Sequence, residues 1–408
     1  MKLIVIGAGL SGLVTANEVQ KAGHEVVLLE ARDRVGGRVF TIREGLHDGQ
    51  YADVGAEMIY HGQDNILNLC AAQGLELTSE FSLGTDTPDI VFHGHRLSKE
   101  ASRELAQELR DGVKRVPPGF YETVAQWLRR ARLSEDAALL LEAIAQGTPA
   151  APLRLADSQE LNVDLSWGKG YRKIQGGNDG LPRSLAKTVE VRLNQVVRVV
   201  GHDGSGVTVE TERETFRGDR ALVTVPGPLV QELGFDPVLP AEKIKALLQM
   251  RYGNGTRLVA QYADKELVRQ AIGLGCFTDQ MPGYVMEQTM QQAGDQVVIS
   301  GLAAGDVEPA LMTDEQALDA FDATISGAVG QPVRRTFGYV KNWTKDPFTR
   351  SVVRAPLGDQ RETVLPEIRK PVDGRVFFAG EYTDDRVGPG GMEGAIKSAY
   401  RVTKELLA

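Results

Sequence analysis

A chain of 408 residues that is 42 % hydrophobic and 25 % charged has the bulk character of a folded protein of two or three domains, which excludes a disordered, collagen-like or disulfide-scaffold chain. Its 55 acidic and 46 basic residues leave a formal charge of −9, so no broad basic face is available to nucleic acid. Cys70 and Cys276, the two cysteines, stand far apart without CxxC spacing, which argues against a disulfide framework or a thiolate metal site and for a reducing, cytoplasmic setting.

Lys2 and the apolar run Leu3 to Val14 have the outline of a signal peptide, but the run divides into parts with a different logic. Leu3–Ile6 reads as a strand buried on both faces, Gly7-Ala8-Gly9-Leu10-Ser11-Gly12 as a turn, the stretch to Ala22 as a helix, and Glu25–Glu30 as a second strand. That is a β-α-β unit. No other apolar run approaches the roughly 18 residues of a membrane span, so no membrane partner is expected. His93-x-His95 falls in a strand-like segment with no third ligand nearby, which favours solvated polar residues over a metal pair, and no metal site is expected elsewhere. From Ser98 to about Gln146 the pattern is helical, with Leu105, Leu109 and Val113 at i, i+4, i+8 and a second group at Leu139, Leu140 and Ile144. After the glycine-rich Gln175-Gly176-Gly177, the segments Val189–Val200, Val207–Thr211 and Ala221–Val225 read as strands of a β-meander turning through Asp203-Gly204-Ser205-Gly206. Residues 236–345 mix both patterns. The end of the chain carries a strand at Arg375–Ala379, a glycine cluster, and a helix to Leu407 whose apolar stripe is Met392, Ala395, Ile396, Ala399, Val402 and Leu406, with Glu393, Lys397 and Lys404 largely off it.

Gly7-x-Gly9-x-x-Gly12 between strand and helix is the arrangement that cradles a pyrophosphate: the first glycine permits the turn, the second admits the phosphates, and the third lets helix and strand pack. The helix N-terminus, which includes Ser11, then presents backbone N–H groups to the phosphates. Glu30, at the end of the second strand, is placed to accept hydrogen bonds from ribose hydroxyls.

The continuation Glu30-Ala31-Arg32-Asp33-Arg34-Val35-Gly36-Gly37-Arg38 resembles the opening of the flavin-dependent amine oxidase family, which includes the monoamine and polyamine oxidases. Further islands carry the resemblance along the whole chain. Asp53-Val54-Gly55-Ala56-Glu57-Met58-Ile59 is similar to the family segment beside the isoalloxazine, Gly176-Gly177 to its paired glycines, and Val196 with Thr224-Val225-Pro226 to its adenine-side strand. Trp343 stands where the family has a tryptophan near the flavin, and Phe378-Ala379-Gly380-Glu381-Tyr382-Thr383 with Gly390-Gly391-Met392-Glu393-Gly394-Ala395 resembles its C-terminal signature. The resemblance implies an α/β protein in which a doubly wound, Rossmann-like FAD-binding domain is interleaved with a smaller α+β substrate domain. The first takes residues 1–75, 175–235 and 370–408; the second takes 76–174 and 236–369, with the helical insertion near 98–146. It further implies non-covalent FAD held by Gly7, Gly9, Ser11, Gly12 and Glu30, by Ala31, Arg32, Gly37 and Arg38, by Ala56, Glu57 and Met58, by Val196, and by Gly380, Glu381, Gly391 and Met392. The start of the last helix is suited to stabilising negative charge on a reduced flavin ring.

Several positions depart from the family. Arg257 in Gly255-Thr256-Arg257-Leu258-Val259 replaces a lysine. Arginine stays protonated and so is no general base; it either holds a substrate carboxylate or carbonyl, or is a strand residue paired with a surface acid. Val352 and Gly391 stand where monoamine oxidases place two tyrosines, Ser351 where some members attach flavin to cysteine, and Gly55-Ala56-Glu57-Met58 lacks the arginine found here in many L-amino-acid oxidases. These departures argue against a simple primary monoamine and against an ordinary amino acid. For Glu57, either the carboxylate faces the pocket, to move a proton or bind a cationic amine, or only its backbone meets the ring. The resemblance thus implies an FAD-dependent oxidase acting on the C–N bond of an amine, with hydride transferred to flavin N5, an imine product and dioxygen reduced to hydrogen peroxide. The expected catalytic residues are Glu57, Arg257 and Trp343, the partners a small amine and O2, and a homodimer is compatible with this picture. The alternatives are a flavin desaturase acting on a C–C bond and a non-catalytic flavin-binding protein.

Overall fold

The computed structural model describes every residue except 82–86, 120, 148–149, 161–169, 308, 356–357, 359 and 386–389. The strand Lys2–Ile6 lies at the centre of a five-stranded parallel sheet. On one side it pairs with Glu25–Leu29, which pairs with Glu190–Arg192; on the other it pairs with Arg220–Val223, which pairs with Val376–Phe378. Central parallel strands are covered on both faces and so read as unbroken apolar runs, which is why Leu3–Ile6 was legible. The helix Leu10–Lys21 and the C-terminal helix Gly391–Leu407 pack together over one face, joining Leu13, Val14, Ile396, Ala399, Val402 and Leu406 in a common core. Val200, Val209, Leu247, Leu365 and Phe378 belong to the core on the other face.

The stretch expected as a meander divides between two sheets. Val189–Val200 is two strands, Glu190–Arg192 and Val197–His202, interrupted where Asn194 turns with φ +57°. The interruption is anchored by Asn194 N donating to Arg32 O and Gln195 N to Glu30 O. Glu190–Arg192 and Arg220–Val223 join the parallel sheet, whereas Val197–His202, Val207–Thr211, Thr215–Gly218 and Gly234–Asp236 form a separate four-stranded sheet. Alternation along a strand reports burial and not partner identity, so the switch between sheets has no signature in the sequence.

A seven-stranded sheet runs in the order Arg335–Asn342, Gly255–Tyr262, Val297–Ala304, Tyr284–Glu287, Gly275–Thr278, Ile90–Phe92 and His95–Arg96. The helical stretch after Ser98 is three helices, Lys99–Arg115, Val124–Ala131 and Glu135–Gly147, with Trp127 buried among them. His93 sits on a turn between two strands, with φ +54°, and faces Asp136 and Asp279 at 3.5 Å.

Glu393, placed by its helical spacing largely off the apolar stripe, is buried at 2 % exposure. Its carboxylate accepts from Ile66 N at 2.9 Å and Asn65 Nδ2 at 2.6 Å, satisfying the start of the helix Asp64–Ala72. A helix N-terminus offers unpaired donors and positive potential, so a carboxylate from a remote segment is stable there despite burial.

Candidate functional site

The glycine turn has the geometry its spacing implies. A Cβ on Gly7 would lie 2.8 Å from Thr224 Oγ1, and one on Gly12 only 2.0 Å from Gly7 O, so both positions exclude side chains by contact with protein. At Gly9, by contrast, nothing lies within 4 Å of the Cβ position, and the helix it begins has no side-chain cap. Open space thus meets uncapped helix donors, which suits a pyrophosphate. A Gly12→Ala variant is expected to lose most of its cofactor, read as the ratio of flavin to protein absorbance after purification; an unchanged ratio would mean the turn can relax around the added methyl.

Glu30 closes the turn from the far side: Oε2 accepts from Ala8 N at 2.8 Å and Oε1 from Arg32 N at 2.9 Å. Burial pushes its carboxyl up, against the pull of those two N–H groups. Arg32 does not point freely into the site but makes a paired contact with Asp346, at 2.5 and 3.1 Å, while Lys341 donates to the same carboxylate. Although burial opposes it, these cations hold Asp346 well below the usual carboxylate range. Ala31 precedes Arg32 on the same turn, and Val196 lies half-buried just beyond the anchored Asn194 and Gln195.

The other expected cofactor segments converge on that turn. Gly36 N donates to Ala8 O at 2.8 Å, and the Cβ position on Gly37 lies 3.7 Å from Gly9 Cα. Arg38 donates to Glu381 Oε1 at 2.9 Å and to Val352 O at 2.6 Å. Ser11 Oγ meets Ser398 Oγ at 3.1 Å, and Gly380 N donates to the same Ser398 hydroxyl at 2.9 Å. The C-terminal helix starts at Gly391, φ +52°, with no atom of the described residues within 4 Å of its Cβ position, followed by the buried Met392.

Beyond Arg38 the chain enters a wall. Ala56 N donates to Arg38 O at 3.0 Å, and a Cβ on Gly55 would lie 1.8 Å from that oxygen and 3.3 Å from the Trp343 ring. Trp343 is buried and donates from Nε1 to Val54 O at 2.8 Å, so it braces the wall. Met58 receives the Tyr60 hydroxyl at 2.7 Å from sulfur.

Glu57 sits at the centre of a buried polar cluster. Its Oε1 accepts from Lys173 Nζ at 2.6 Å and from Gln288 Nε2, and its Oε2 lies 3.1 Å from Arg257 Nη1. Lys173 also donates to Gln288 Oε1 at 2.7 Å. Of the two roles open to Arg257, pairing with a surface acid is excluded, because its partner carboxylate is 6 % exposed. Glu57 contributes its carboxylate to the cluster and not its backbone alone, but that carboxylate is already matched by two cations. It therefore has no spare charge for a cationic amine.

Lys173, Gln288 and Asp53 were not singled out by the sequence. Lys173 reaches Glu57 because Ile59–Tyr60 pairs antiparallel with Tyr171–Arg172, a two-residue ladder too short to read in advance. Its one signal was its place just before Gly176-Gly177. Asp53 is fully buried, accepts Thr41 Oγ1 at 2.6 Å and Asn178 N at 3.0 Å on Oδ1, and has no hydrogen-bond partner at Oδ2 among the described residues. Burial pushes its carboxyl up to about 6, with Lys173 opposing the rise most strongly. Aromatic groups missing at Val352 and Gly391 are present elsewhere: Tyr60 and Phe81 pack on Tyr171, and Phe277 on Tyr284, with ring centroids 5.0–6.4 Å apart.

A model of the flavin-containing amine oxidoreductase family matches residues 10–407. The chain belongs to the flavin-containing amine oxidoreductases. This amine oxidoreductase is 26 % identical over 443 residues to the L-amino-acid oxidase of Mus musculus, covering 98 % of this chain and 70 % of that one. It is 25 % identical over 451 residues to the L-amino-acid oxidase of Pseudechis australis, covering 99 % and 86 %. Among solved structures, the cyclohexylamine oxidase of Brevibacterium oxydans superposes with a TM-score of 0.83 at 21 % identity, covering 100 % of this chain and 99 % of that one. A putrescine oxidase bound to putrescine superposes with a TM-score of 0.80 at 20 % identity and the same coverage. The likeness shows the fold, a doubly wound flavin domain of the amine oxidase type. The cofactor is FAD, and the open spaces at Gly9 and Gly391 and the buried Glu30 fit it.

Proposed function

We propose that this amine oxidoreductase removes two electrons from the C–N bond of a small amine, and that dioxygen then takes them up as hydrogen peroxide. The observation that carries this reading is the meeting of the Gly55–Ala56 wall, braced by Trp343, with the buried Glu57–Lys173–Arg257 cluster. When bound, FAD supplies the two-electron acceptor. The chain's own residues bind, orient and exclude water. The Gly7–Gly12 turn and the following helix hold the phosphates through backbone N–H groups, and Glu30 takes the ribose hydroxyls. Ser351, buried and without a thiol, is consistent with non-covalent attachment. Tyr171 and Tyr284, both buried and both within reach of the Glu57 charge, keep its surroundings dry, which strengthens every charge interaction there.

The test is to mix holoenzyme with a panel of amines without oxygen and follow loss of flavin colour, then admit oxygen and assay peroxide. Bleaching by at least one amine followed by stoichiometric peroxide is expected. Flavin that light can reduce but that no amine bleaches would overturn the reading.

A further inference from the structure

Orphaned polar atoms gather around Glu57. Arg257 is 9 % exposed, and among the described residues its Nε–H has no hydrogen-bond partner and its guanidinium meets, beyond Glu57, a long 3.5 Å contact from Nη2 to Gly55 O. The hydroxyls of Tyr171 and Tyr284 are buried without partners among the described residues, and burial followed by nearby charges including Glu57 pushes both phenols up, keeping them protonated donors. A buried donor left unpaired costs free energy that a ligand acceptor can recover, and a guanidinium with free N–H groups matches a carboxylate above other acceptors.

The charges around it point the same way. Lys173 and Arg257 are balanced by Glu57 and, when ionised, by Asp53. The four groups sum to zero with Asp53 ionised and to +1 with it protonated. Glu287, the next acid towards Tyr171, is held by Arg269 at 2.5 Å. In neither state does this cluster keep a spare carboxylate for a second ammonium, so a dication gains nothing here, whereas an anion meets the unpaired Arg257 Nε–H in both states and a net positive charge as well when Asp53 is protonated.

Resting on the amine-oxidation reading above, we propose that the substrate amine carries a carboxylate and that Arg257 receives it. The arginine missing after Ala56 is thus replaced by one from the strand Gly255–Tyr262, which approaches the same wall from the seven-stranded sheet. Arg257 is then a specificity-determining residue: a matched amine without the acid group is held less well, and a diamine is disfavoured.

The test does not need turnover. Holoenzyme is titrated with benzoate and with benzamide, which has similar shape but no charge, and binding is read from the shift of the flavin absorbance band. Benzoate is expected to bind about tenfold tighter or more than benzamide. That advantage should vanish in Arg257→Met and shrink in Arg257→Lys, which keeps a cation beside Glu57 but lacks the guanidinium fork. Equal affinities in the unaltered protein, or an advantage that survives both substitutions, would overturn the proposal. Because no amine is involved, that failure is distinct from absence of bleaching in the amine panel, and the comparison within the unaltered protein stands even if a variant does not fold.

Discussion

A Glu57→Ala variant is expected to lose about 3–5 kcal/mol of stability, because it leaves two buried cations without their shared counter-ion. Lys173 and Glu57 side chains are 5 % and 4 % exposed, so water cannot replace the lost carboxylate without opening the site. Glu57→Gln preserves shape and an acceptor but not charge, and falls between the two. Removing a cation together with the acid, in Glu57→Ala with Lys173→Met, should recover a large part of the loss, since the cost belongs to the uncompensated charge and not to the packing. Urea unfolding of the four proteins measures this. A Glu57→Ala midpoint close to that of the unaltered chain would show that the cations are hydrated and that the cluster is not the electrostatic centre described above.

The second large effect is a dependence of stability on pH with the opposite sign to that of most carboxylates. Asp53 titrates near 6 in the folded chain against an ordinary value of 3.8, because burial penalises its charged form. The folded state therefore holds this proton more tightly than the unfolded state. Its stabilising contribution is complete below about pH 4, declines as pH rises towards 6, and is absent above that. A difference of roughly two units corresponds to about 3 kcal/mol. Asp53→Asn keeps an acceptor for Thr41 and Asn178 and cannot ionise, so it should unfold at higher urea concentration than the unaltered chain at pH 8, with the two converging near pH 4. A difference independent of pH would assign the effect to packing instead.

The flavin half was legible at a distance because its demands are local. Gly7, Gly9 and Gly12 act within six consecutive residues, and Leu3–Ile6 is apolar because a central parallel strand is covered on both faces. The C-terminal helix was legible from its 3.6-residue stripe, with the exception of Glu393, whose partners Asn65 and Ile66 are more than 300 residues away. The division of Val189–Val225 between two sheets was not legible. Neither strand propensity nor alternation names the neighbour a strand will choose, and here the choice depends on hydrogen bonds from Asn194 and Gln195 back to Glu30 and Arg32.

The sequence by itself determined the cofactor loop, the family to which the chain belongs and the absence of a lysine at position 257, since each is written in short motifs whose residue types are set locally. Only the tertiary structure decided which charges Arg257 and Glu57 meet. Glu57 leaves the flavin-side wall, Lys173 arrives through the short ladder of Ile59–Tyr60 with Tyr171–Arg172, and Arg257 comes from a strand of the seven-stranded sheet. Charges brought together from three segments acquire their roles from mutual distance and exclusion of water, and neither quantity exists until the chain has folded.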